Sequence, residues 1–339
     1  MINYFLFLIL LFITNYFLLI GASKGYYLKS LIQKKTSDKN MHKNKIYQNT
    51  GVIVLGLFII SSLSLWIIFG KEINITEKIP RPSIFFVSIL SLYLISVLDF
   101  IKKIHPIVRL FFQLIIVFIS LTLINFPIVP TDIVPLKLQF LIVIIFWVYI
   151  INITNFIDGL DGMISLSIMG VMITSIVFLI IYKIMSINFY LATLLLPFLL
   201  SFFILNKPEA KIFLNDSGSI PLGYLMGFFL LNFLQNEQYF FFISIFLYFI
   251  LDVTFTLFIK LKNKIVPWAR LFDYFFLKPV IKGKQSHWYV LKFVFFYFLI
   301  MMFLMLILYY LNLSLFYLSI YSLLFSIFML KKFNKFSSN

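Results

Sequence analysis

Eleven long apolar runs fill this sequence, and a soluble fold has no interior large enough to hide them. They fall near residues 1–21, 51–69, 83–98, 110–126, 137–153, 164–182, 187–205, 219–234, 239–258, 293–311 and 314–330. Each is about the length of a helix that crosses a hydrocarbon core of ~30 Å. In hydrocarbon every backbone polar group must pair within the protein, so helices are the expected form. Composition agrees: 62% of the residues are hydrophobic and 12% are charged, where soluble chains run at about half and about a quarter. The expected fold is an all-α integral membrane protein with about eleven transmembrane helices, organised as one polytopic domain over residues 1–339. The first run carries its lysines after it rather than before it, which reads as a retained span and not a cleaved signal. Cysteine is absent, which excludes a disulfide framework, a cysteine zinc site and a thiol nucleophile.

The net charge of +16 would suggest nucleic acid on a soluble protein. Here the positive residues sit between apolar runs, so no nucleic-acid partner is expected and the bilayer explains them. Loops 22–50, 99–109, 154–163, 206–218 and 259–292, with the tail 331–339, share one side and hold 23 Lys and Arg, against five on the other. The positive-inside rule makes the first set cytoplasmic. An odd number of spans then places the N-terminus outside and the C-terminus inside.

Only twelve residues are acidic, and most lie in or beside those basic loops. Asp99, Asp158, Asp161, Asp216 and Asp252 fall at or near span ends. Ionisable groups at such depths are costly and are site candidates by default. Carboxylates beside Lys and Arg at a membrane surface suit a magnesium–phosphate substrate, because magnesium takes one or two carboxylates plus phosphate oxygens.

Two strings are specific. The first is Asn152-Ile-Thr-Asn-Phe-Ile-Asp-Gly-Leu-Asp-Gly-Met163. Its amides and carboxylates recur every three residues, and Gly159 and Gly162 let the backbone leave the helix. A glycine-rich turn alone needs no such polar set. The second string is Asn206-Lys-Pro-Glu-Ala-Lys-Ile-Phe-Leu-Asn-Asp216-Ser-Gly-Ser219. Ser217 and Ser219 are candidate caps for a helix starting near Ser219, whose free N–H groups could face an anion.

Both strings resemble motifs of the polyprenyl-phosphate N-acetylhexosamine-1-phosphate transferases of glycosyltransferase family 4. That family includes the peptidoglycan translocase and the enzymes that start O-antigen, enterobacterial common antigen and teichoic acid synthesis. Asn155 to Met163 resembles its Asn-x-x-Asp-Gly-x-Asp-Gly-Leu motif. Asn206 to Ser219 resembles a second motif, with Asn215 where Gly is usual. Asp99 to Gln113 resembles its Asp-Asp segment, including His105-Pro-x-x-Arg109-Leu-x-x-Gln, but Phe100 replaces the second Asp. His42 with Gly51 is similar to the first cytoplasmic loop, without its prolines, and Asp252 to Leu257 is similar to an Asp-x-x-x-Thr-Leu motif. Ser286-His287-Trp-Tyr289 resembles the O-antigen-initiating branch, and the translocase's histidine triplet is missing.

The resemblance implies transfer of a sugar-1-phosphate from a UDP-N-acetyl sugar to undecaprenyl phosphate, with release of UMP. It implies magnesium on Asp216, with manganese as the alternative ion. Asp99 and His287 are the implied catalytic residues; Asn155, Asp158, Asp161, Lys211 and Lys284 are the implied substrate-binding residues. A homodimer is left open. A lipid or anion transporter, and a relative that binds without turnover, are the competing readings.

Overall fold

The computed structural model describes residues 2–26, 33–35, 46–73, 82–124, 126, 128, 131–184, 186–235, 238–266 and 274–337. Among the described residues, eleven long helices carry the fold: α1 (Ile2–Ser23), α2 (Gly51–Ile73), α3 (Pro82–Lys102), α4 (Pro106–Ser120), α5 (Leu136–Ile157), α6 (Met163–Ile181), α7 (Ile187–Asn206), α8 (Asp216–Gln235), α9 (Tyr239–Lys262), α10 (His287–Tyr310) and α11 (Phe316–Asn334). All eleven are long and apolar enough to cross a membrane. The all-α expectation holds, with one small addition: β1 (Gln33–Lys35) pairs antiparallel with β2 (Ile46–Gln48).

Helix boundaries move where polar residues at the membrane surface still obey helix rules. α4 starts at Pro106 rather than near 110, because His105 Nδ1 accepts from the Ile107 N–H and Pro supplies the preset φ of a first helical residue. It gives way to a 3-10 turn at Leu121–Leu123 rather than running on to 126. α10 starts at His287 rather than 293, so the Ser-His-x-Tyr string lies on a first helical turn and not in a loop. α5 runs on to Ile157, which puts Asn152 and Asn155 inside its last turns.

The bundle is arranged around α8, which is packed by α2, α3, α5, α7 and α9. Buried residues make up 94% of its spanning window, against 22% for α1, so α8 is the interior helix and α1 a peripheral one. Glycine permits the close approach of α5 and α8. A Cβ on Gly223 would come within 2.6 Å of the Ile151 backbone, and one on Gly227 within 2.1 Å of the Trp147 ring. Small residues serve this purpose in membranes, where apolar surface alone drives no association. The Trp147 indole N–H donates to the Tyr224 carbonyl at 2.9 Å, and the Tyr224 and Ser120 hydroxyls pair at 2.9 Å. Asn15 of α1 donates to Ser201 of α7 at 2.6 Å. Such bonds contribute about 0.6 kcal/mol each on average.

Antiparallel alternation brings the C-terminal ends of α3, α5, α7 and α9 to the same end of the bundle as the N-terminal ends of α2, α4, α6, α8 and α10. The acidic span ends noted in the sequence therefore gather at one end. There β2 clips onto the segment before α8: Phe213 N–H donates to Tyr47 O at 2.8 Å and Thr50 N–H to Phe213 O at 3.0 Å. Gly51 is required at this clip, because a Cβ there would lie 2.4 Å from the Gly218 nitrogen.

Candidate functional site

The 206–216 segment is held from several sides. Asn206, at the end of α7, accepts from the Gly162 N–H at 3.0 Å and donates to Ile212 O at 2.8 Å. Gly162 has φ +71°, a left-handed conformation that glycine adopts without steric cost. Asn215 also sits in that region, at φ +57°. This explains the residue found where the related motif has glycine: Asn is the side chain that best tolerates that conformation.

The two strings fold onto one another. The Asn215 N–H donates to Asp158 Oδ2 at 3.1 Å, and the Ser219 hydroxyl donates to Asn155 Oδ1 at 2.8 Å. α8 begins at Asp216, not near Ser219, so the expected serine caps are corrected. Ser217 and Ser219 lie within the first turn and their hydroxyls donate backward, to Leu214 O and Asn215 O. Asp216 itself stands at the helix N-terminus, where the macrodipole favours a carboxylate.

Asp99 approaches from the last turn of α3. Its Oδ1 accepts from the Ile104 N–H at 2.7 Å and its Oδ2 from Arg109 Nη1 at 2.7 Å. The same Nη1 also donates to Asp216 Oδ2. One guanidinium thus joins two carboxylates from α3 and α8. Sequence reading left Arg109 without a role, although it is the one charged residue in the first turns of α4. Phe100 is half-buried on the next position of α3.

Asp161 is only 2% exposed. Its Oδ2 accepts from the Ala210 N–H at 3.2 Å and lies 3.3 Å from His287 Nδ1, an ion pair only when the imidazole is protonated. Lys211 and Lys284 are exposed, and neither side chain makes an ion pair or hydrogen bond among the described residues. His42 lies outside the described residues. His105 caps α4.

Asp252 turns out to be architectural. It is 1% exposed and accepts from Phe275 N–H at 2.9 Å, Phe276 N–H at 3.1 Å and Tyr248 OH at 3.0 Å. These bonds fix the 3-10 turn Phe275–Leu277. Beside it the Tyr274 ring stacks on Phe156 at 5.4 Å, so the turn supports the first string from beneath.

No group of three or more His, Asp or Glu side chains forms a metal cage among the described residues. Magnesium does not require one, since it commonly takes one or two carboxylates and completes its shell with water and substrate phosphates. Asp216 fits that mode. Its carboxylate is 26% exposed, and Oδ1 has no donor among the described residues.

The structure defines a polytopic membrane protein with a charged polar site built from span ends at one face. Residues 83–234 match the family model of glycosyl transferase family 4, and this supports a membrane glycosyl-1-phosphate transferase in general. The matched stretch runs from α3 to α8 and contains Asp99, Arg109, both strings and Asp216, but stops short of His287 and Lys284. No curated protein matches the chain.

Proposed function

We propose that this protein transfers an N-acetylhexosamine-1-phosphate from a UDP-sugar to undecaprenyl phosphate, releasing UMP, as the first step of a bacterial cell-surface polysaccharide such as O-antigen. The observation that carries the reading is the docking of the two strings: Asp158 accepts the N–H of Asn215, the residue beside Asp216. Residues 57 positions apart thereby bring amides and carboxylates together at one end of the bundle.

An acceptor phosphate is already an anion, so the reaction needs no strong base to make a nucleophile. It needs two anions brought together and their charge offset, which is mostly positioning and electrostatics. Asp216 would hold magnesium, or manganese in its place, and the bound ion would supply Lewis-acid neutralisation of the diphosphate. Asp99, fixed by Ile104 and Arg109, orients the acceptor or takes its last proton. Asn155 and Asp158 bind the nucleotide, and Asp161 behind them orients His287 toward the diphosphate. Lys211 and Lys284 attract the anionic donor. The site faces the cytoplasm of the inner membrane, a placement supported by the 23-to-5 bias of Lys and Arg.

Purified protein in lipid nanodiscs with undecaprenyl phosphate should release UMP from one member of a panel of UDP-N-acetyl sugars. It should form lipid-linked sugar phosphate in equal amount, stop when the divalent cation is chelated and resume on adding magnesium. Absence of UMP across the panel would refute the proposal.

A further inference from the structure

The segment that carries Lys284 and His287 lies outside the matched family stretch, and its support comes from elsewhere in the chain. A single helical turn, Lys278–Ile281, leads into it. The Gly283 N–H donates to Lys278 O at 3.1 Å and the Gln285 N–H to Pro279 O at 2.9 Å. These bonds fold the segment back on its own first turn and do not by themselves place it against the bundle.

The end of α11 does. α11 is fixed to its neighbours by buried hydroxyls: Ser322 donates to Ser244 O of α9 at 2.9 Å and pairs with the Tyr297 hydroxyl of α10 at 2.7 Å. Its last residue, Asn334, accepts from Lys278 Nζ at 2.7 Å. That ammonium also lies 3.9 Å from the centre of the Phe275 ring, a cation–π contact that helps hold a lysine only 8% exposed. The 3-10 turn Lys335–Ser337 then brings Phe336 onto the segment from the other side. Its ring stands edge-on to Tyr289 at 6.0 Å. It also presses on Gly283, where a Cβ would come within 2.3 Å of the ring. The end of α11 therefore grips the segment twice, at Lys278 before Lys284 and at Tyr289 after His287. This grip follows Lys331 and Lys332, the basic last turn of α11, so insertion of α11 into the bilayer does not require it. Its consequence lies at the site, where His287 Nδ1 stands 3.3 Å from Asp161 Oδ2.

We infer that Asn334 and Phe336 are positioning residues: they clamp residues 278–289 so that His287 stays on Asp161 and Lys284 stays beside it, and the clamp sets the affinity for the nucleotide-sugar donor rather than for the lipid acceptor. The donor rests on the proposed transfer reaction; the clamp does not. A group displaced by even ~1 Å loses much of its effect on a bound substrate.

The chain has three histidines, His42, His105 and His287, so a histidine reagent can be followed site by site. Purified full-length protein in nanodiscs is treated with diethyl pyrocarbonate, and labelling of His287 is measured against the exposed His105 by peptide mass spectrometry. Phe336→Ala should raise that ratio about tenfold by letting the segment open, whereas Phe336→Tyr keeps the ring and should label as wild type. Gly283→Ala pushes the segment off the ring without altering Phe336 and should raise the ratio too. Asn334 is exposed, so Asn334→Ala should keep the fold and raise it about threefold. In kinetics, Phe336→Ala should raise the KM for the UDP-sugar about tenfold, with the KM for undecaprenyl phosphate and the melting temperature unchanged. Unchanged labelling of His287 in Phe336→Ala and Asn334→Ala overturns the clamp. An unchanged KM for the UDP-sugar, or equal rises in both KM values, overturns the positioning role. Faster labelling of His287 in the variants, with no UMP release by wild type, would cancel the proposed reaction and leave the clamp standing.

Discussion

Two acidic clusters meet at the same end of the bundle and use their carboxylates differently. Asp158, Asp161 and Asp252 accept backbone N–H groups from Asn215, Ala210, Phe275 and Phe276. Asp99 and Asp216 share the side chain of Arg109, and Asp216 keeps an oxygen with no donor among the described residues. A carboxylate filled by main-chain donors fixes a loop and loses little freedom to a ligand. A carboxylate held by one side chain alone, as Asp216 is, can exchange that partner. The contrast separates carboxylates that fix the loops of the site from one that can exchange its partner, among residues that sequence alone ranks together.

The largest expected effect lies in the Arg109 cluster. Asp99→Asn should remove most transfer, on the order of a hundredfold in rate, because the amide carries no charge to hold Arg109 and cannot take a proton. Adding Phe100→Asp to that variant should not restore activity, since adjacent helix positions point ~100° apart. Restoration in the double variant, read as UMP release, would show that the two positions are interchangeable.

The next effect is on stability. Asp252→Ala strips the acceptor from two backbone N–H groups and the Tyr248 hydroxyl, at a cost of about 1–3 kcal/mol for each donor left buried and unpaired. The melting temperature in detergent should fall by several degrees. An unchanged melting curve would remove Asp252 from the architectural group. A smaller change is expected at Asn215. Its φ of +57° suits glycine at least as well, so Asn215→Gly should leave stability within about 0.5 kcal/mol, whereas Asn215→Val should cost about 1–3 kcal/mol in that region. Equal melting temperatures for the Gly and Val variants would contradict the backbone argument.

Much of this was legible in the residues. Apolar length is a local property, so all eleven helices were visible as runs. Their ends were less so, because His287 and Lys292 lower the hydropathy of a stretch that is nonetheless helical. The strings around Asp158 and Asp216 stood out because their polar residues are spaced along a single segment. The role of Arg109 was not readable, since its contact with Asp216 spans 107 positions and depends on how α4 packs beside α8. The tie from Asp252 to Phe275 was hidden for the same reason. β2 was missed because its partners, β1 and the 211–213 segment, look like ordinary loop.

The most direct test compares Asp216→Asn with Asp161→Ala in the same nanodisc preparation, scoring both melting temperature and UMP release per folded molecule. The account predicts that Asp216→Asn melts within about 2 °C of wild type, because Asn suits a helix start as Asp does. It should lose transfer by about a hundredfold or more, because a neutral amide is a poor ligand for a hard cation. Asp161→Ala should melt lower by several degrees while its folded fraction keeps transfer within about tenfold, the cost of an unpaired N–H at Ala210 and a loosened His287. Near-normal transfer by Asp216→Asn, or loss of transfer without loss of stability in Asp161→Ala, would contradict the division of the two clusters.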